Sequence, residues 1–118
     1  MRSEVPRPVT LSQTDGKMAR LEDDAIMARF VRDYLALLDE RVATITAQLE
    51  SGNDLTAHIS LLSLESTSFM VGAKELAKIA GLLRGAVERQ RRHVIPALVM
   101  AMTKEAVSVH QELRPADH

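Results

Sequence analysis

Between residues 21 and 49 the chain contains neither glycine nor proline, and its apolar side chains recur at steps of three and four. Ile26, Phe30, Tyr34, Leu38, Val42, Ile45 and Leu49 therefore share one face of a helix of about eight turns, a pattern that no strand accommodates. A stripe that long must be covered by other elements. The rest of the chain has to supply them.

It does so with more helices. Ser51-Gly52-Asn53-Asp54 stops the first helix, because Gly52 tolerates a left-handed cap and Asn53 or Asp54 can accept from the free amides of the next helix. A second helix is predicted over residues 55–71, with Ala57, Leu61, Leu64, Ser68 and Val71 as its core seam. After Gly72 a third helix, with Glu75 in a capping-box-like position, presents Ala73, Leu76, Ala80, Leu83, Val87 and Gln90 inward and ends near Arg92. A fourth starts around Pro96 and offers Leu98, Met102, Val109 and Leu113. Short turns between amphipathic helices predict an all-α, antiparallel up-down four-helix bundle over residues 21–118. Pro6, Pro8 and Gly16, among scattered Ser, Thr and Asp, make residues 1–20 a flexible or short helical arm.

Composition narrows the chemistry. Of the 118 residues 46 % are apolar but only 3 % aromatic, so the core of this single domain must be aliphatic. Fifteen basic against sixteen acidic residues give a net charge of −1, which draws the chain generally to neither nucleic acid nor an anionic membrane. Zero cysteines exclude disulfides and thiol chemistry and fit a reducing compartment, so the cytoplasm is the expected location. The longest apolar run, residues 94–102, is far short of the roughly 20 residues needed to cross a bilayer, and MRSEVPRPVTLSQTDGK has no signal-peptide core. His93, His110 and His118 have no metal-ligand spacing, and no cofactor motif or nucleophile elbow is present. A free-standing enzyme is not expected. Arg84, Arg89, Arg91, Arg92 and His93 read as a solvated basic helix end that also suits the helix dipole.

The stretch HISLLSLESTSFMVGAKEL, residues 58–76, resembles the active helix of histidine-phosphotransfer (HPt) domains. In that family an exposed His is followed by an apolar residue at +2, Lys at +3, a small residue at +4 and a Gly-Ala ending near +10. Gly72 and Ala73 match the ending, Leu64 the apolar position and Ser66 the small one, but Leu62 stands where the His belongs and Glu65 where the Lys does. Phe30 and the phrase Leu49-Glu50-Ser51-Gly52 are similar to the family's lead helix, and the resemblance spans residues 21–113. It implies a four-helix bundle that exchanges phosphate with the receiver domain of a response regulator.

The departures bear on that chemistry. Transfer from an aspartyl phosphate needs an exposed imidazole nitrogen in line with phosphorus, a cation on the phosphoryl oxygens and a small neighbour for close approach. Leu62 has no lone pair, and Glu65 adds negative charge where a phosphoryl group already carries nearly two. The resemblance thus implies a degenerate module that binds a receiver domain or sensor kinase, by competition or scaffolding, through His58, Leu62, Glu65, Ser66 and Phe69. Two alternatives stay open: His58, one turn before Leu62, as a displaced phosphoacceptor, and a structural bundle unrelated to phosphorelay. Leu62 itself has two readings: an exposed Leu62 builds an apolar patch with Phe69, while a buried one makes the resemblance partly illusory.

Overall fold

A computed structural model describes residues 13–113, with side chains from Ala19 onward. Four helices follow one another with no strand among the described residues: α1 (Gln13–Glu50), α2 (Asp54–Met70), α3 (Lys74–Glu88) and α4 (Ile95–Glu112). A single 3-10 turn, Arg92–Val94, leads into α4, whose first turn carries Pro96. Each helix packs on its chain neighbours and α4 returns to α1, while no Cα pair within 8 Å joins α1 to α3 or α2 to α4. That is the closed ring of an antiparallel up-down bundle.

Three turns of one kind set the ring. At Gly52 (φ 77°) the amide donates to the Leu49 carbonyl and that of Asn53 to Gln48; at Gly72 (φ 86°) the pairs are Gly72 to Phe69 and Ala73 to Ser68. Gln90 (φ 54°) repeats the pattern, its amide bonding Val87 and that of Arg91 bonding Ala86. Each closes a helix with a left-handed residue that satisfies its last carbonyls. Asn53 makes no side-chain cap and Ala73 has no polar atom with which to make one, so the expected caps from Asn53 and Glu75 do not form. Asp54 instead pairs with Arg92, tying the α3–α4 connection to the start of α2.

The aliphatic core follows the predicted seams. Tyr34, Leu38, Val42, Ile45 and Leu49 of α1 meet Ala57, Leu61 and Leu64 of α2, Leu76, Ala80, Leu83 and Val87 of α3, and Met102 and Val109 of α4. The one buried polar side chain among the described residues, Ser68, shares a 2.7 Å hydrogen bond with the Tyr34 hydroxyl across α1 and α2.

Four expectations need correction. First, α1 begins at Gln13, so residues 13–20 of the expected arm are the start of the long helix; residues 1–12 and 114–118 lie outside the described residues. One glycine, Gly16, costs about 1 kcal/mol, too little to stop a helix through good helix formers such as Lys17, Ala19, Arg20 and Leu21. Second, Ile26 is 67 % exposed, because every described side chain from residue 19 to 29 lies beyond the reach of the shorter helices. Third, α3 ends at Glu88, and Gln90 occupies the turn, exposed, rather than the inner face. Fourth, the basic residues 84–93 are not one solvated end, since Arg84 and Arg92 each turn to a carboxylate.

Candidate functional site

On α2, positions 58, 62, 65, 66 and 69 fall on one face beside the buried seam of Ala57, Leu61, Leu64 and Ser68. Leu62 is 46 % exposed and Phe69 68 %, with Ser66 open to solvent between them. Leu62 therefore does not pack in the core, and the two apolar side chains form a surface patch.

The adjoining face of α3 completes the site. Lys74, Ala77, Lys78 and Arg84 line a shallow groove of about 530 Å³ whose other wall is Leu62, Glu65, Ser66 and Phe69. The spacing of those four α3 residues keeps them on one side of a helix. Neither lysine takes part in an ion pair among the described residues.

Glu65 is not a free charge in this groove. Its Oε1 accepts from Nε and Nη2 of Arg84, both at 2.9 Å, with each side chain about 30 % exposed. Arg84 Nη1 lies 3.8 Å from Glu88 Oε2, and His58 Nδ1 lies 3.7 Å from the same oxygen. A chain of polar contacts thus runs from His58 through Glu88 and Arg84 to Glu65. Gly81 makes room for it: a Cβ there would sit 2.8 Å from Glu65 Oε2. The expectation that Glu65 confronts an incoming phosphate with unbalanced charge is corrected accordingly, because Arg84 offsets it.

Position 62 holds a hydrocarbon and Ser66 a hydroxyl on the same open face, whereas the His58 side chain is 28 % exposed and beside a carboxylate. No group of three His, Cys, Asp or Glu residues among those described could hold a metal ion. Leu62 and Phe69 thus form an exposed apolar patch bordered by Lys74 and Lys78. Lys74, Lys78, Gly81 and Arg84 were missed as site residues by sequence reasoning, which centred on α2. The signal was present in Lys74-x3-Lys78-x2-Gly81-x2-Arg84, a single helical face with a glycine mid-helix where one is costly.

No helix among the described residues is long and apolar enough to cross a membrane. In comparisons with family models, with curated proteins and with solved structures, the chain has no significant match.

Proposed function

We propose that this chain is a phosphotransfer-like signalling module that binds, in the cytoplasm, the receiver domain of a response regulator, or its sensor kinase, without passing phosphate. The observation that carries the reading is the exposure of Leu62 and Phe69 on an α2 face that ends in Gly72-Ala73. An apolar residue at the acceptor's place keeps a docking surface and removes the nucleophile. Lys74 and Lys78 line the same groove from α3 and supply positive charge suited to an acidic partner pocket. His58 is the less suitable acceptor, since it is more covered than Leu62 and approaches Glu88.

Phosphate transfer tests this. Incubated with a radiolabelled, phosphorylated receiver that it binds, the wild type stays unlabelled. The variant Leu62→His with Ser66→Gly and Glu65→Gln combines an imidazole and a close approach with an Arg84 no longer paired to Glu65, and it takes up acid-labile label. Label on the wild type that vanishes in His58→Ala contradicts the reading and establishes His58 as the acceptor.

A further inference from the structure

The apolar patch is one half of a longer stripe. Leu55, Ile59, Leu62, Ser66 and Phe69 recur at steps of four, three, four and three along α2, which at about 100° per residue keeps them within roughly 80° of one another. They face away from the buried seam of Ala57, Leu61, Leu64 and Ser68. The four apolar members are 46 to 73 % exposed, and Met70 beside Phe69 is 59 % exposed. Leu55, Ile59 and Met70 do not line the groove shared with α3. Charge is nearly absent here: between Asp54 and Lys74 the chain has one acidic residue, Glu65, which Arg84 already engages, one histidine, His58, and no lysine or arginine. A helix apolar on two faces is a helix covered on both, and depletion of charge marks the centre of an interface rather than a solvated face.

The stripe is also symmetric about its middle residue. Counted from Leu62, its members stand at −7, −3, 0, +4 and +7, the near-palindrome that a surface needs in order to meet a copy of itself. Two α2 helices packed antiparallel, at the shallow crossing of about 20° common in bundles, place Leu62 on Leu62 of the other copy. Leu55 then meets Phe69, and Ile59 meets Ser66, a large side chain against a small one. His58 and Glu65 stand at −4 and +3 on the edge nearer α3, so the antiparallel pair brings the imidazole of one copy to the carboxylate of the other. A parallel pair would set them against Ser63 and Met70 instead. Area agrees: with on the order of 100 Å² for each such side chain, the five from each copy hide roughly 600 Å² of apolar surface at the exposures given. That is the apolar share of a contact of about 1,000 Å², enough for a small reversible dimer.

We propose that the outer face of α2 is a self-association surface, on which a second copy of this chain seats antiparallel with the two-fold axis at Leu62. The dimer covers Leu62, Ser66 and Phe69, so a receiver and a second copy exclude one another. That consequence rests on the receiver-binding reading, whereas the dimer itself does not.

Sedimentation velocity of the full chain from micromolar to millimolar concentration tests the proposal. A monomer–dimer equilibrium with little dependence on salt and no larger species is expected, because an apolar isologous contact closes on itself. Ile59→Glu should be monomeric with an unchanged circular-dichroism spectrum and melt. The chain has no cysteine, so single introduced thiols report the register. Leu62→Cys should form an intermolecular disulfide under mild oxidation. Ile59→Cys, whose two copies stand roughly 9 Å apart along the helix axis, and Val107→Cys, 56 % exposed on α4, should not. A wild type that is monomeric at millimolar concentration overturns the proposal. So does a dimer that persists in Ile59→Glu, or a disulfide at Ile59→Cys or Val107→Cys that forms as readily as the one at Leu62→Cys. Receiver titration separates the two readings: a dimer whose monomeric Ile59→Glu variant binds no receiver removes the receiver reading alone, and a permanent monomer that binds one removes the dimer alone.

Discussion

Leu62 and Leu64 lie two positions apart on α2, yet one is 46 % exposed and the other fully buried. The same substitution should therefore have opposite consequences. Leu62→Arg is expected to move stability by less than about 0.5 kcal/mol, whereas Leu64→Arg forces a charge into the core and costs several kcal/mol. Urea denaturation of the two variants checks this, and a large loss in Leu62→Arg would remove the surface patch from the account. Tyr34 offers a second residue-level test because it is the only tyrosine in the chain. Burial raises its pKa above 10.0, opposed by the hydrogen bond with Ser68 and by Arg41. The native phenol should therefore titrate, by its ultraviolet absorbance, above the midpoint seen in denaturant. With the folded pKa raised, the stability that Tyr34 contributes is fully present below pH 10 and is lost as pH rises through the higher folded value. Tyr34→Phe should abolish that alkaline loss and, by leaving the Ser68 hydroxyl buried without its partner, cost about 1–2 kcal/mol at neutral pH.

At the scale of elements, the three turns share one geometry but not one residue. Glycine occupies the left-handed position at 52 and 72, and Gln90 does so at the end of α3, where a side chain with a Cβ is strained. Gln90→Gly should stabilise the bundle by up to about 1 kcal/mol, measured by thermal or urea unfolding; a loss would mean that the Gln90 side chain contributes a contact worth more than the strain. The two glycine turns were legible in the sequence because Gly after a periodic run marks a left-handed cap. The third was not, because glutamine carries no such signal, and the basic run 89–93 reads as a continuing helix end. The start of α1 was misplaced for the converse reason: Gly16 looks like a boundary, but no proline follows it to enforce one. Core seams were readable since helical spacing fixes which side chains face inward. On the site, His58, Leu62, Glu65, Ser66 and Phe69 could be grouped from their spacing on α2. Their α3 counterparts could not, because which face of one helix meets which face of the next depends on packing across the turn.

The whole molecule is a four-helix ring on which α1 projects beyond its partners. Its apolar patch, bordered by Lys74 and Lys78, sits on the α2–α3 side. If the patch is the reason this bundle retains Leu62 and Phe69 in water, truncating the patch must abolish partner binding while leaving the ring intact. The central claim is tested most directly by isothermal titration of the wild type and of Leu62→Arg against a panel of purified receiver domains from the source organism. The account predicts saturable binding of at least one receiver by the wild type and its loss in the folded Leu62→Arg variant. Failure of every receiver in the panel to bind, or equal binding by the two proteins, would contradict it.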